Sequence, residues 1–293
     1  MTQIAIRTSQ AQPIMGLLNP IGSVRSLWAS RELIRQFTVR MVRAEHRGTF
    51  LGMVWIVVNP IFILVVYTFI FSTVLKVKWD TVPGGAPATG GAEWAQFAVT
   101  MFCGMIVFGI FADCVTAAPT MIVSRPNYVK KVVFPLDIFP IAALGAALFS
   151  ALVSTVILLV AAGVAFGTVS KTIWLFPLVL VPTILLTLGV SWFLASLGVF
   201  LRDTNQFVNL FVQRLLFFVT PIFYPMSRLP EQFLPFIRAN PLATLVVEGR
   251  KTLLWSEYPD FAALGVLTLV SLVVCQLGYA WFAKSRKGFG DVI

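Results

Sequence analysis

Histidine, cysteine and acidic residues are the scarce groups in this chain: one His, three Cys and 12 Asp or Glu in 293 residues. The single His46 stands beside Glu45 in a basic stretch, so histidine-based catalytic triads and metal clusters have nothing to assemble from. Cys103, Cys114 and Cys275 sit inside apolar runs without CxxC spacing, which argues against a disulfide framework and a zinc site. No Gly-Lys pair occurs, so the phosphate-cradling GxxxxGK[ST] loop is missing and Gly249-Arg250-Lys251-Thr252 is its nearest approach. The expectation is a chain with no catalytic residues, no metal site and no bound cofactor of its own.

In place of those groups stand apolar side chains: 58% of residues are hydrophobic, 12% are charged, 26 are Phe, and the mean hydropathy is +0.88. A water-soluble core of 32.3 kDa cannot hide that much apolar surface, and runs beyond about 18 residues read as membrane spans. The pattern gives an all-α membrane protein with six spans, at about 52–74, 97–118, 136–166, 172–201, 206–224 and 260–282. Residues 1–50 form an arm ahead of the membrane domain at 51–293. The stretch at about 225–258 is too interrupted to span and too apolar to lie free in water. A re-entrant hairpin meets both constraints, because irregular backbone at membrane depth needs cover from protein or from a water-filled cavity.

The net charge of +10 would suggest nucleic acid if it formed one soluble basic face, but the cations fall in the loops, and no nucleic-acid partner is expected. Placing both termini in the cytoplasm puts fourteen of the 22 Lys and Arg on that side and seven on the other, with Arg214 inside a span. That asymmetry follows the positive-inside rule. The arm alone holds seven arginines, without an apolar core long enough for a secretory signal. Within it Leu27, Ile34, Phe37 and Met41 share one helical face, with arginines on the others. Such a helix lies in the lipid interface, or on a cytosolic partner, or both.

Two ionisable groups inside spans are functional candidates for that reason. Asp113 and Arg214 lie about 8 and about 12 Å from the cytoplasmic ends of their spans, at about 1.5 Å per residue. Either they form a buried ion pair, or Arg214 faces a polar pathway for an anionic or hydroxyl-rich cargo, or its guanidinium reaches back to the interface. Trp79, Trp94, Trp174, Trp255 and Trp281 at span ends read as an interfacial belt. Trp55, Tyr67, Trp192, Phe217, Phe218 and Tyr224 lie deeper. They form either a stacking wall for the apolar faces of sugar rings or ordinary lipid-facing and core packing; Trp55, Tyr67, Trp192, Phe217 and Phe218, with Arg214, are the candidate channel residues. Gly48 with Gly52, and Gly163 with Gly167, have the spacing of close helix contacts.

Three motifs in order, SRPNYVKKVVFPLDIFPI at 124–141, LRDTNQFVNLFVQRLLFFVTPIFYP at 201–225 and ANPLATLVVEGRKTLL at 239–254, resemble the permease subunits of type-2 ABC transporters, specifically those exporting O-antigen and teichoic acid polysaccharides. The similarity extends from about Arg31 to the closing FAKSRKGFGDVI. The resemblance implies a homodimer of permeases in the bacterial inner membrane, working with two copies of a cytoplasmic ABC ATPase that binds the ATP and Mg. Its cargo would be a lipid-linked polysaccharide. A capsular polysaccharide, or a small lipid or drug, is the alternative within the family. An ion-driven secondary transporter, which needs carboxylates near the bilayer midplane, is the alternative outside it. By position, the resemblance also places Arg125, Asn127, Tyr128, Lys130 and Lys131 on a helix coupled to the ATPase, with Arg202 and Asp203 in a second cytoplasmic turn. Pro221, Tyr224, Pro225, Asn240 and Pro241 would shape a periplasmic gate.

Overall fold

The computed structural model describes residues 28–45, 50–74, 93–130 and 134–293, and among these the regular structure is entirely helical. In chain order the elements are α1 (Arg31–Glu45), α2 (Trp55–Tyr67), α3 (Glu93–Ala117), α4 (Pro126–Lys130), α5 (Ile138–Phe166) and α6 (Phe176–Phe200). Then come α7 (Thr204–Leu210), α8 (Phe217–Val219), α9 (Leu234–Ala239), α10 (Pro241–Leu253), α11 (Phe261–Ser285) and α12 (Phe289–Val292). Among the described residues five stretches are long and apolar enough to cross a membrane: Gly52–Ile70, Ala95–Thr120, Ile138–Phe166, Ile173–Phe200 and Phe261–Val292.

The apolar run expected at 206–224 makes a shorter helix. Here α7, a π-helical stretch Phe211–Leu216 and α8 follow one another as segments of seven, six and three residues. Together they reach about 24 Å at about 1.5 Å per residue, less than the hydrocarbon thickness of about 30 Å. The helix stops because Thr220 turns extended, at φ −76° and ψ 132°, and because Pro221 has no N–H with which to continue the ladder.

Helix α3 is apolar on every side and buried on nearly every side, which is how a central helix reads. Its Phe102, Val107 and Phe111 share a core with Val179 and Leu186 of α6 and with Leu245 and Val246 of α10. A second core, toward the far end of α3, gathers Met121, Ile122, Phe139, Trp192, Phe282 and Phe289. In lipid the alternative to such contacts is another apolar contact, so close packing holds helices together more than water exclusion does. Glycine makes that possible where α6 and α11 cross: a Cβ added at Gly278 would run into the Gly189 backbone, and one at Gly189 would lie 2.6 Å from the Val274 carbonyl. Gly198 lies against the Pro119 backbone in the same way.

The glycine pairs singled out by spacing do something else. Gly163 has only Val169 Cγ2 near it, at 3.8 Å. Gly167, at φ +68°, is the left-handed cap that ends α5, with its N–H donating to Gly163 O at 2.9 Å. Gly52 has open space around it, and Gly48 lies outside the described residues, as do Leu27, His46 and Trp79.

Helix α1 lies on α5, where a Cβ at Gly145 would meet Thr38 Oγ1 at 2.8 Å. Ile34, Phe37 and Met41 are half-buried and Val42 is buried, while Arg31, Arg35, Arg40 and Arg43 are exposed. At the opposite end of the bundle α10 turns back into the interior. Asn240 caps it by accepting from Leu242 N at 3.0 Å, and Pro241 occupies its first turn. Leu242, Leu245, Val246, Gly249, Arg250 and Leu253 form its buried face, and a Cβ at Gly249 would meet Val107 Cγ2 of α3 at 2.9 Å.

Candidate functional site

The segment after α3 builds a basic cleft. Arg125 ends the turn and bends back, Nη1 donating to Met121 O at 2.8 Å, with its guanidinium 5.0 Å over the Phe139 ring. Pro126 then starts α4, as its fixed φ favours. Tyr128 of α4 stacks among Phe37, Phe134 and Phe139 at centroid distances of 5.8, 4.8 and 5.8 Å, and its hydroxyl accepts from Arg40 Nη1 at 3.4 Å. These rings fasten α4 to α1. Between the two helices opens a cleft of about 680 Å³, lined among others by Gln36, Phe37, Arg40, Arg43, Arg125 and Tyr128. Burial, and after it the neighbouring Arg40 guanidinium, push Arg125 below the ordinary arginine range. Like charges gathered on a partly buried wall make an anion the favoured occupant.

Of the other expected coupling residues, Asn127 and Lys130 are exposed on α4, and Arg202 and Asp203 are exposed in the turn between α6 and α7. Lys131 lies outside the described residues. The chain's end closes in beside them. Phe289 of α12 is buried against Phe282 and Phe200, at centroid distances of 5.6 and 5.9 Å, and Arg286 Nη1 comes within 3.9 Å of Asp137 Oδ1 just ahead of α5.

The expected gate residues come together around the end of α8. Tyr224 folds back so that its hydroxyl lies 2.9 Å from Phe218 O and 3.1 Å from Val219 O, covering carbonyls that the stopped helix leaves open. Asn240 Nδ2 donates to Thr220 Oγ1 at 3.0 Å, tying the end of that helix to the start of α10. Pro221 is buried and its carbonyl accepts from Arg250 Nη1 at 2.7 Å. Pro225 follows in extended conformation, at φ −76° and ψ 146°.

The candidate channel residues divide. Phe207, Leu210, Phe211, Arg214, Leu215 and Phe218 are all exposed and fall on one face of the α7–α8 run by their spacing. Phe218 is 64% exposed, and Phe217 behind it packs on Phe108 and Phe223 at 5.4 and 5.0 Å. Trp55 is exposed on α2 and Tyr67 half-buried against the core. Trp192 is a core residue: it is 3% exposed, its Nε1 donates to Asp137 O at 3.0 Å, and Tyr279 meets it edge-on at 5.1 Å. No ring face is left for a sugar. Asp113 and Arg214 are both exposed on this chain rather than buried.

The largest omission from the sequence reading is Arg250, which stands there inside the Gly249-Arg250-Lys251-Thr252 stretch without a structural role. It is 1% exposed and donates to three backbone carbonyls. The signal was available: Leu242, Val246 and Arg250 recur every fourth residue, which puts the guanidinium on the apolar face of its helix.

Comparison with known proteins adds a family model described as ABC-2 type transporter, which matches residues 32–254. The chain is 27% identical over 273 residues to the O-antigen export system permease protein RfbA of Myxococcus xanthus, covering 92% of this chain and 98% of that protein. It is 25% identical over 263 residues to the protein of the same name from Klebsiella pneumoniae, covering 89% and 95%. A second Klebsiella pneumoniae protein so named is 24% identical over 266 residues, again covering 89% and 95%.

Proposed function

The chain belongs to the ABC-2 type transporter family, and on that premise we propose that it is the permease subunit of an ATP-driven exporter of lipid-linked, O-antigen-type polysaccharide. The observation that carries this is similarity over almost the whole length, on both sides, to three proteins named as O-antigen export permeases. The chain works as a homodimer with two copies of an ABC ATPase, which supplies the ATP and Mg chemistry that the permease itself lacks. It lies in the bacterial inner membrane with both termini cytoplasmic.

In this reading the Thr204–Val219 run is the fifth of six crossings, its shortness made up by the re-entrant pair α9–α10 on the periplasmic side. Helix α1 lies in the cytoplasmic interface. The aromatic face of α7–α8, with Arg214 on it, lines the path together with Trp55, and two copies of that face enclose the channel. Tyr67 and Phe217 back the wall. Pro221, Tyr224, Pro225, Asn240 and Pro241 form the gate. Arg125, Asn127, Tyr128, Lys130 and Lys131 meet the ATPase, with Arg202 and Asp203 in the adjacent turn. ATP binding closes the ATPase pair, the motion enters through the 119–135 loop into α3 and α5, and the polymer advances. Directional movement needs that ATP-driven population shift, since a ligand-free equilibrium favours no direction.

The test is co-purification with an ABC ATPase from the same organism, followed by ATP hydrolysis with and without the permease. A stable complex whose hydrolysis rate responds to the permease is expected. An ATPase that neither binds nor responds would return the choice to an ion-driven carrier.

A further inference from the structure

Arg250 ties together three parts of the molecule that are far apart in sequence. Its Nε donates to Thr100 O on α3 at 3.0 Å, Nη1 to Pro221 O at 2.7 Å and Nη2 to Ile222 O at 2.8 Å. The side chain itself rises from α10. Space for it comes from Gly104, one turn along α3 from Thr100, where a Cβ would sit 2.8 Å from Nη2 and 3.2 Å from Val246 Cγ1. The turn it holds is tight, with Ile222 N donating to Thr220 O at 2.7 Å, and Asn240 secures Thr220 from the other side.

Other side chains would occupy part of this space. A methionine fills only the aliphatic part of this space and brings no charge to desolvate, but it leaves the three carbonyls without donors. A lysine would keep the charge but not the planar fork that addresses diverging acceptors at once. What the guanidinium alone provides here is a rigid, three-way connection. Thr100 lies near one end of α3, and the same helix leads, about 30 Å away at about 1.5 Å per residue, into Thr120 and the basic segment before α4.

We infer that Arg250 is the positioning residue that fixes the Thr220–Ile222 turn to α3 and α10, so that α3 transmits movement at its basic end to the gate turn at the other. This rests on the transporter reading for its function and on the contacts alone for its geometry. The turn, α10 and the Thr100 end of α3 then form one mechanical body. Tyr224, two residues beyond the clamped carbonyl of Ile222, travels with it.

The test uses the permease–ATPase complex in lipid vesicles and reads ATP hydrolysis and polymer export separately. Arg250→Met removes all donors and Arg250→Lys keeps the charge, while Gly104→Ala leaves Arg250 in place but presses on Nη2. Export is expected to fall roughly tenfold or more in Arg250→Met, since hydrogen bonds from a charged group are lost, with Arg250→Lys intermediate. Permease-dependent ATP hydrolysis is expected to persist in all three. Wild-type export by Arg250→Met, or hydrolysis and export declining in step with the amount of folded complex, would overturn the inference.

Hydrogen exchange on the unsubstituted complex decides the matter even if the variants do not assemble. The amides of Ile222 and Phe223 should exchange together with those of residues 246–253, with and without ATP. Independent exchange would show that the clamp does not unite them. If the unsubstituted complex hydrolyses and exports nothing, the transporter reading fails, while the exchange result still stands or falls for the clamp.

Discussion

Arg40, Arg43 and Arg125 line an open cleft at one end of the bundle, whereas Arg250 near the other end is sealed inside it and bound to three carbonyls. The same residue type performs two different tasks because its surroundings differ. Arg40 and Arg43 are exposed and add little to the stability of a single chain, and the use of such like charges is in what they attract. A buried guanidinium is expensive to desolvate, and its use is in what it holds in place. On the proposed function, damage at the cleft should therefore appear as lost coupling in an intact protein, and damage at Arg250 as a loosened structure around the Thr220–Ile222 turn.

The sharpest way to break that contrast is to remove each charge in turn. Arg250→Met leaves the Thr100, Pro221 and Ile222 carbonyls without its donors and should lower stability by about 3 kcal/mol, measured as unfolding of the purified permease in detergent. Arg43→Met should change it by less than about 0.5 kcal/mol. Equal effects would erase the distinction between the two ends. Gly104→Ala comes next, at about 1–2 kcal/mol from the contact with Nη2, read from the same unfolding curves. Asn240→Ala removes both the cap of α10 and the bond to Thr220 and should cost about 1 kcal/mol.

The smallest expected change in stability belongs to Lys130→Glu, near zero for an exposed side chain. Its effect is expected on the partner: stimulation of the ATPase should be lost while the permease still inserts. If this end docks the ATPase, affinity for it should also weaken as salt is raised, because Lys130, Arg40 and Arg43 are exposed charges. An association indifferent to both would remove the basic end from the docking role.

The long helices were legible because lipid demands uninterrupted apolar runs, and 136–166 and 172–201 closely match Ile138–Phe166 and Ile173–Phe200. The 206–224 run was overextended, since hydropathy continues through Phe223 while the backbone stops at Thr220 and Pro221. Helix spacing groups Ile34, Phe37 and Met41 on one face of α1, but it cannot show that helix seated on α5, which depends on the absent side chain of Gly145. Composition does not separate a wall tryptophan from a core one, and Trp192 is settled by its bond to Asp137 O, 55 residues away. The burial of Arg250 is invisible to a charge count, which sorts cations by side of the membrane and ignores which face of the helix they occupy.

The most direct measurement of the central claim is transport itself. Inverted membrane vesicles containing the permease and its ATPase would be given lipid-linked polysaccharide on the outer, formerly cytoplasmic, face, and polymer protected inside the lumen would be followed. The account predicts accumulation that requires ATP and both subunits and persists when ion gradients are collapsed by ionophores. Accumulation that survives without ATP and stops with the ion gradient would contradict it.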